Sequence, residues 1–417
     1  MTKFLRTVIF FFISFSLYAQ HTECDGKRYI ERVFSGTVKT ADVKYGEATS
    51  IAGNFKELRM DIYEPENDSI DDRPVIVLAH GGSFIQGERS QLEELCIDFA
   101  RRGYVTATIT YRLFDKSLFT LDSLGIQEEG IMAIMDMKAA VRYFREDAAT
   151  NNLYKIDPNL IFAGGASAGA IMAANAGLMD STDTIPQFLS DLINKHGGWD
   201  GNSSSNLEYS SHISGILNYS GAVFRKSVID ADDAPIYSAH DDNDPIVPYG
   251  TKAQEVQNSG IKVFLEGSGS IKTKSDEVGL KNQLFTIPNS TGHVSFFEEN
   301  ILLYGDTVVA QSSKFLHDLF CTSPTGIRSK DETSVQPTFS IYPNPAQTNV
   351  NFVLPSHNED YNIAIYNVLG ERVFYKSNVK SQIKINTVNL STGIYFARIG
   401  SINSGVKPVT KKLIIRK

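Results

Sequence analysis

A chain of 417 residues, 42% hydrophobic and 21% charged, has the composition of ordinary globular protein, which excludes a disordered or fibrous polymer. That length buries a large core and accommodates two or three domains. A formal net charge of −8 excludes a surface built to neutralise phosphate backbones, so nucleic acid is not an expected partner.

The chain opens with Lys3 and Arg6, an apolar run from Val8 to Leu17, and the small residue Ala19. This order predicts a secretory signal peptide over residues 1–20, although Leu17 sits where a smaller residue is usual. No later segment is apolar enough to span a bilayer, so the mature chain is expected to carry no transmembrane segment. Three cysteines follow the expected cleavage point: Cys24, Cys96 and Cys321. Cys96 lies among Leu95, Ile97 and Phe99 and is expected to be a buried free thiol. Cys24 and Cys321 bracket one region, and because domain termini often lie close together, a disulfide between them is a reasonable expectation in an exported protein.

A strand at residues 58–63 is expected in an early antiparallel pair. After it, short apolar runs at 75–79, 104–110, 160–163, 213–218, 235–239 and 284–287 read as buried strands. Helical patterns at 91–102, 127–145 and 168–179 separate several of them. The alternation predicts an α/β domain over residues 21–321 around a mostly parallel sheet. Residues 322–337 are rich in Ser, Thr, Pro and charge and read as a linker. Residues 338–417 alternate apolar and polar side chains at 350–354, 361–366, 372–375, 383–385, 393–398 and 412–415, the pattern of a small all-β sandwich.

The sharpest chemical signal is Gly165-Ala166-Ser167-Ala168-Gly169, which follows the strand at 160–163 and opens a helix. A strand that turns abruptly into a helix pushes the middle side chain out on a strained backbone and needs small neighbours. Ser167 is therefore a candidate nucleophile; the bland reading is a glycine-rich turn of any α/β protein. Upstream, His80-Gly81-Gly82-Ser83-Phe84 directly follows the strand at 75–79. Backbone N–H groups near Gly82 and Ser83 could join that of Ala168 in an oxyanion hole, with His80 bracing the loop rather than acting as a base.

A serine hydroxyl needs a base, and His293 stands just after the last predicted strand and ahead of an apolar helical start at Val294–Phe297. His196, His212 and His317 have no comparable placement. The base in turn needs a carboxylate. His240-Asp241-Asp242-Asn243-Asp244-Pro245 follows the strand at 235–239; Asp244 is preferred, while Asp241 and Asp242 stay open on physical grounds. These aspartates lack the ligand spacing of a calcium loop. Trp199, in Gly197-Gly198-Trp199-Asp200-Gly201, is a packing residue or a pocket wall.

His80-Gly81-Gly82, the elbow at 165–169, the segment 240–248 and Gly292-His293 together resemble the α/β-hydrolase superfamily, in its carboxylesterase and lipase branch. Arg102-Gly103-Tyr104, Thr110-Tyr111-Arg112 and residues 136–145 are similar to that branch as well. The family usually shows His-Gly-Thr-x-Asp-x-x-Val-Pro where this chain has Asp241 and Asp242 in place of Gly and Thr, and the match of His240, Asp244, Val247 and Pro248 selects Asp244. The resemblance implies a Ser167, Asp244, His293 triad, no metal and no organic cofactor, with Ser167 acylated by an ester. Relatives act on small acyl esters, acetylated or feruloylated sugars, lipids and polyesters, and some are peptidases.

Tyr342-Pro343-Asn344-Pro345, residues 365–370, residues 390–395 and the basic end at 411–417 resemble the sorting domain read by the type IX secretion system of Bacteroidota. That implies the secretion machinery as a partner and an extracellular or cell-surface destination. The expectation from sequence is thus a secreted serine ester hydrolase, with a non-catalytic surface binding protein on the same scaffold, or a serine peptidase, as alternatives.

Overall fold

Residues 75–79 read Val-Ile-Val-Leu-Ala and are all fully buried, as a strand covered on both faces requires. The computed structural model describes residues 24–256, 259–297, 302–321, 340–354, 360–367, 372–380, 382–401 and 409–417. The expected signal peptide at 1–20 and linker at 322–337 lie outside the described residues. The described residues fall into two compact units that divide between residues 325 and 326.

The first unit is built on eight strands: β1 (Thr37–Thr49), β2 (Phe55–Pro65), β3 (Arg73–Ala79), β4 (Val105–Ile109), β5 (Ile156–Ala166), β6 (Ile216–Tyr219), β7 (Ile236–Asp241) and β8 (Asn282–Ile287). Their order in the sheet is β1-β2-β4-β3-β5-β6-β7-β8. Only the β1–β2 and β2–β4 pairs are antiparallel; every pair from β4 to β8 is parallel. The sheet is mostly parallel, as the alternation of strands and helices predicts.

Because side chains alternate along a strand, β3 serves two cores at once. Val75, Val77 and Ala79 pack with Ile131 and Met135 of α2 (Ser123–Ala149) and Met172 of α3 (Ala168–Leu178). Ile76 and Leu78 pack with Phe99 of α1 (Glu93–Ala100) and Leu316 of α6 (Leu302–Phe320). Two further helices, α4 (Gln187–Lys195) and α5 (Ser268–Val278), contribute Leu189 and Ile271 to the α2 side. Asp122 caps α2 by accepting from the Gly125 N–H at 2.7 Å.

Differences from expectation have local causes. The predicted helix at 91–102 begins with a 3-10 turn at Arg89–Leu92, and the apolar start at 294–297 forms only a 3-10 turn, Ser295–Phe297. An additional hairpin, Thr251–Glu255 paired with Lys262–Gly267, has a first strand too polar to show an apolar alternation: four of its five residues are exposed. The disulfide joins Cys24 and Cys321, whose Cα atoms are 5.5 Å apart, and Cys96 is buried and free.

The second unit consists of β9 (Ser340–Tyr342), β10 (Asn349–Val353), β11 (Tyr361–Tyr366), β12 (Arg372–Val379), β13 (Gln382–Asn386), β14 (Gly393–Ser401) and β15 (Val409–Ile415). They form two antiparallel sheets, β9-β10-β13 and β12-β11-β14-β15. Val350, Phe352 and Ile385 from the first sheet share a core with Ile363, Ile365, Ala397 and Leu413 from the second, which makes the unit a sandwich. No helix among the described residues is long and apolar enough to cross a membrane.

Candidate active site

Strand β5 ends in Gly165-Ala166, and Ser167 stands between it and the first residue of α3. Its φ of +55° is a left-handed conformation that a non-glycine residue holds only where its surroundings enforce it. The surroundings do so by close approach. A Cβ on Gly169 would lie 2.0 Å from the Ala79 carbonyl oxygen, and one on Gly165 would lie 2.4 Å from the same atom. The glycines two residues either side of the serine therefore let β5 and α3 press against the end of β3. The Ser167 N–H donates to the Tyr219 carbonyl at 2.9 Å, which ties the turn to β6.

The ends of β7 and β8 bring the other two groups to this serine. His293 Nε2 is 2.7 Å from Ser167 Oγ, and His293 Nδ1 is 2.7 Å from Asp244 Oδ2. A carboxylate can only accept, so Nδ1 carries the ring proton and Nε2 presents its lone pair to the serine hydroxyl. Asp244 Oδ1 accepts from the backbone N–H groups of Ile246 at 2.8 Å and Val247 at 3.0 Å. Burial raises the affinity of this carboxyl for a proton, but hydrogen bonds from His240 and His293, the charge of His293 and the Ile246 N–H outweigh it and hold the pKa at about 2.

Asp241 and Asp242 have a different task. Asp241 accepts from Ser290 Oγ at 2.5 Å, from the Ser295 N–H at 3.2 Å and from the Ser295 hydroxyl. Asp242 accepts from the N–H groups of Asn289 at 2.9 Å and Ser290 at 3.1 Å. Both carboxylates clamp the loop that carries His293. The substitution of two aspartates for the usual Gly and Thr thus supplies anchors for the histidine loop.

His240 contacts Asp244, a placement that sequence reasoning did not assign. Its Nε2 faces two acceptors, Asp244 Oδ2 at 3.3 Å and the Val247 carbonyl at 3.1 Å, so it bears the proton. Its Nδ1 lies 2.7 Å from Ser268 Oγ, which then donates to it. The signal was present in the match of His240 to the family pattern, but only contact with Asp244 gives it a role.

Beside Ser167 runs the loop after β3. Gly82, Ser83 and Phe84 all have positive φ, at +116°, +57° and +62°, so the chain coils tightly here. A Cβ on Gly81 would stand 3.1 Å from Ser167 Cβ, which places this loop against the serine. His80 is buried, stacks on Tyr111 with ring centroids 4.4 Å apart, and has its Nδ1 2.7 Å from the Gly81 carbonyl. Burial pulls its pKa down, which suits a neutral brace. Tyr111 in turn donates to the His80 carbonyl at 2.8 Å. The next residue, Arg112, forms a fully buried ion pair with Asp136 of α2 at 2.7 Å, and Ser203 Oγ donates to the same carboxylate at 2.5 Å. The Tyr111-Arg112 dipeptide thus fastens the loop at 80–84 to the longest helix of the unit.

A small cavity adjoins Ser83 and Ala168, walled by Phe84, Ile126, Ile171, Phe224, Val247 and Leu265. Trp199 is not among its lining residues; Lys138 lies over its ring, 5.7 Å from the centroid, and bonds to its carbonyl.

Residues 60–224 match the BD-FAE family, and residues 340–416 match the family described as secretion system C-terminal sorting domain. Among solved structures, the chain is similar to a thermophilic esterase of the Planctomycetes species Thermogutta terrifontis with propionate bound, at 19% identity, covering 70% of this chain and 97% of that one with a TM-score of 0.47. It is also similar to a truncated carbohydrate esterase from gut microbiota, at 19% identity, 68% and 98% coverage and a TM-score of 0.45. No curated protein matches the chain in sequence. The sheet order and the two family matches place a BD-FAE domain of α/β-hydrolase fold ahead of a type IX secretion sorting domain, which directs the protein outside the cell or to its surface.

Proposed function

We propose that the protein is a secreted serine carboxylic ester hydrolase that works through an acyl-enzyme on Ser167, with His293 as general base and Asp244 as its orienting acid. What supports this above all is the relay of two 2.7 Å contacts from Ser167 Oγ through His293 to Asp244. In the first half-reaction Ser167 Oγ attacks the ester carbonyl while His293 Nε2 takes its proton. The N–H groups of Gly82, Ser83 and Ala168 receive the oxyanion of the tetrahedral intermediate. The alcohol leaves with the proton from Nε2. A water molecule then gives a proton to the same nitrogen and attacks the acyl-enzyme; the Oγ–acyl bond breaks, Ser167 Oγ takes that proton back, and the acid leaves. Asp244 stays ionised throughout, so it favours the imidazolium that forms in each step.

Hydrolysis of p-nitrophenyl acetate tests the mechanism. Ser167→Ala is expected to lower kcat by at least about 10⁴-fold. A variant that keeps wild-type activity would sink the reading, and a wild type without activity would favour a binding protein on the hydrolase scaffold.

A further inference from the structure

The strand Thr251–Glu255 has one buried position, and it is occupied by Gln254. An inward position of a half-exposed strand ordinarily carries an apolar side chain, so a buried amide here marks a local conflict of the kind found at functional sites. Gln254 is only 8% exposed. Its Nε2 donates to the Pro245 carbonyl at 2.6 Å, and because a carbonyl only accepts, that bond fixes which end of the amide is which. Oε1 is then a buried acceptor with no hydrogen-bond partner among the described residues.

Gln254 lines the cavity that begins at Ser83 and Ala168 beside the nucleophile. The other walls are predominantly apolar: Phe84, Ile126, Ile171, Phe224 and Leu265. The cavity volume of ≈ 50 Å³ leaves room for a chain of a few carbons. An apolar slot bordered by Gln254, whose amide oxygen is buried and unpaired, suits a neutral ligand that is mostly hydrocarbon and brings one donor of its own. A cationic donor would require a buried carboxylate, whereas the acidic lining residue, Glu255, is exposed.

We propose that Gln254 is a specificity-determining residue: the cavity receives a short acyl chain bearing a hydroxyl, whose proton is donated to Gln254 Oε1. This rests on the ester-hydrolase reading of Ser167. A site built to bond a hydroxyl discriminates against the analogue that lacks it, because the acceptor is then left buried and unpaired.

The test measures kcat/KM for methyl butyrate, methyl 2-hydroxybutyrate and methyl 3-hydroxybutyrate by acid release, with wild type, Gln254→Leu, Gln254→Met and Ser167→Ala. The ratio of the better hydroxy ester to butyrate is expected to fall about 10- to 100-fold in Gln254→Leu, and comparing ratios cancels the intrinsic reactivity of each ester. Gln254→Leu removes the orphaned acceptor and also the bond to the Pro245 carbonyl, so the unfolding midpoint is measured beside the ratio; if Leu lowers it, Gln254→Met, which loses the same groups but keeps the side-chain length, supplies the comparison. An unchanged ratio, or a wild type that prefers butyrate to the same extent as the variants, overturns the role of Gln254. Hydrolysis by Ser167→Ala would overturn the ester-hydrolase reading instead, and loss of hydrolysis in that variant with no change of ratio at Gln254 confines the failure to the pocket.

Discussion

Asp244 is held from several directions, by His293 and the backbone N–H groups of Ile246 and Val247, with His240 beside it. Those donors satisfy a carboxylate whose side chain is fully buried, and they explain why it remains charged there. Because the folded-state pKa of about 2 lies below the ordinary 3.8, the stability it contributes is present above the ordinary value and is lost as pH falls through about 2. The acid limb of an activity profile is therefore not set by Asp244. Asp244→Asn keeps the shape but presents His293 Nδ1 with an amide that can donate, which permits the wrong tautomer. We expect kcat to fall by about 10³- to 10⁴-fold with little change in KM, measured by steady-state hydrolysis of p-nitrophenyl acetate.

Helix α2 carries a carboxyl group that its surroundings shift strongly. Glu129 is fully buried, and both its carboxylate oxygens lack a hydrogen-bond partner among the described residues. Burial, reinforced by the charge of Asp136 and opposed by Arg112, pushes its pKa up to about 8. A raised folded-state value means that the folded chain keeps a proton that the unfolded chain releases. The stabilising effect of that proton is complete below the unfolded pKa near 4.5 and is lost progressively as pH rises to about 8. Glu129→Gln removes the titration. Urea unfolding at pH 5 and pH 8.5 is expected to show the variant gaining on wild type by at least about 1 kcal/mol between the two pH values. The neighbouring Arg112–Asp136 pair has opposite character: it is hydrogen-bonded on all sides and fixes the segment that supports the loop at 80–84.

At the scale of the whole molecule, Cys24 and Cys321 close a span of 297 residues around the first unit. Cross-linking so distant a pair restricts the unfolded chain far more than the folded one, typically by 2–5 kcal/mol for a native disulfide. An exported protein meets the oxidising conditions in which such a bond persists. Cys24→Ser is accordingly expected to lower the unfolding free energy by about 2–4 kcal/mol, read from denaturant unfolding, while leaving the Ser167–His293 relay in place. Adding reductant to wild type is expected to bring its unfolding curve to that of the variant. Cys96 contributes nothing to this: it is buried, and burial pushes its thiol up, away from the reactive thiolate.

Local rules made much of this protein legible. Uninterrupted apolar runs announce strands buried on both faces, so β3, β5 and β7 are visible without coordinates; small residues around Ser167 announce a close approach, and alternation announces the second unit. The boundary residues of β11, 361–366, coincide with those read from alternation. What the sequence could not settle is whatever depends on contact between distant segments. Asp241, Asp242 and Asp244 are equivalent as letters just past one strand. Resemblance to the family pattern selects Asp244 among them, but the clamping by Asp241 and Asp242 is visible only in the packing of the loop at 289–295 against the end of β7. The hairpin bearing Gln254 was invisible because its first strand faces water, and the task of His240 was invisible because imidazole declares its proton only through the acceptors around it. Periodicity records which way a side chain faces; which group it meets there is decided by the tertiary fold.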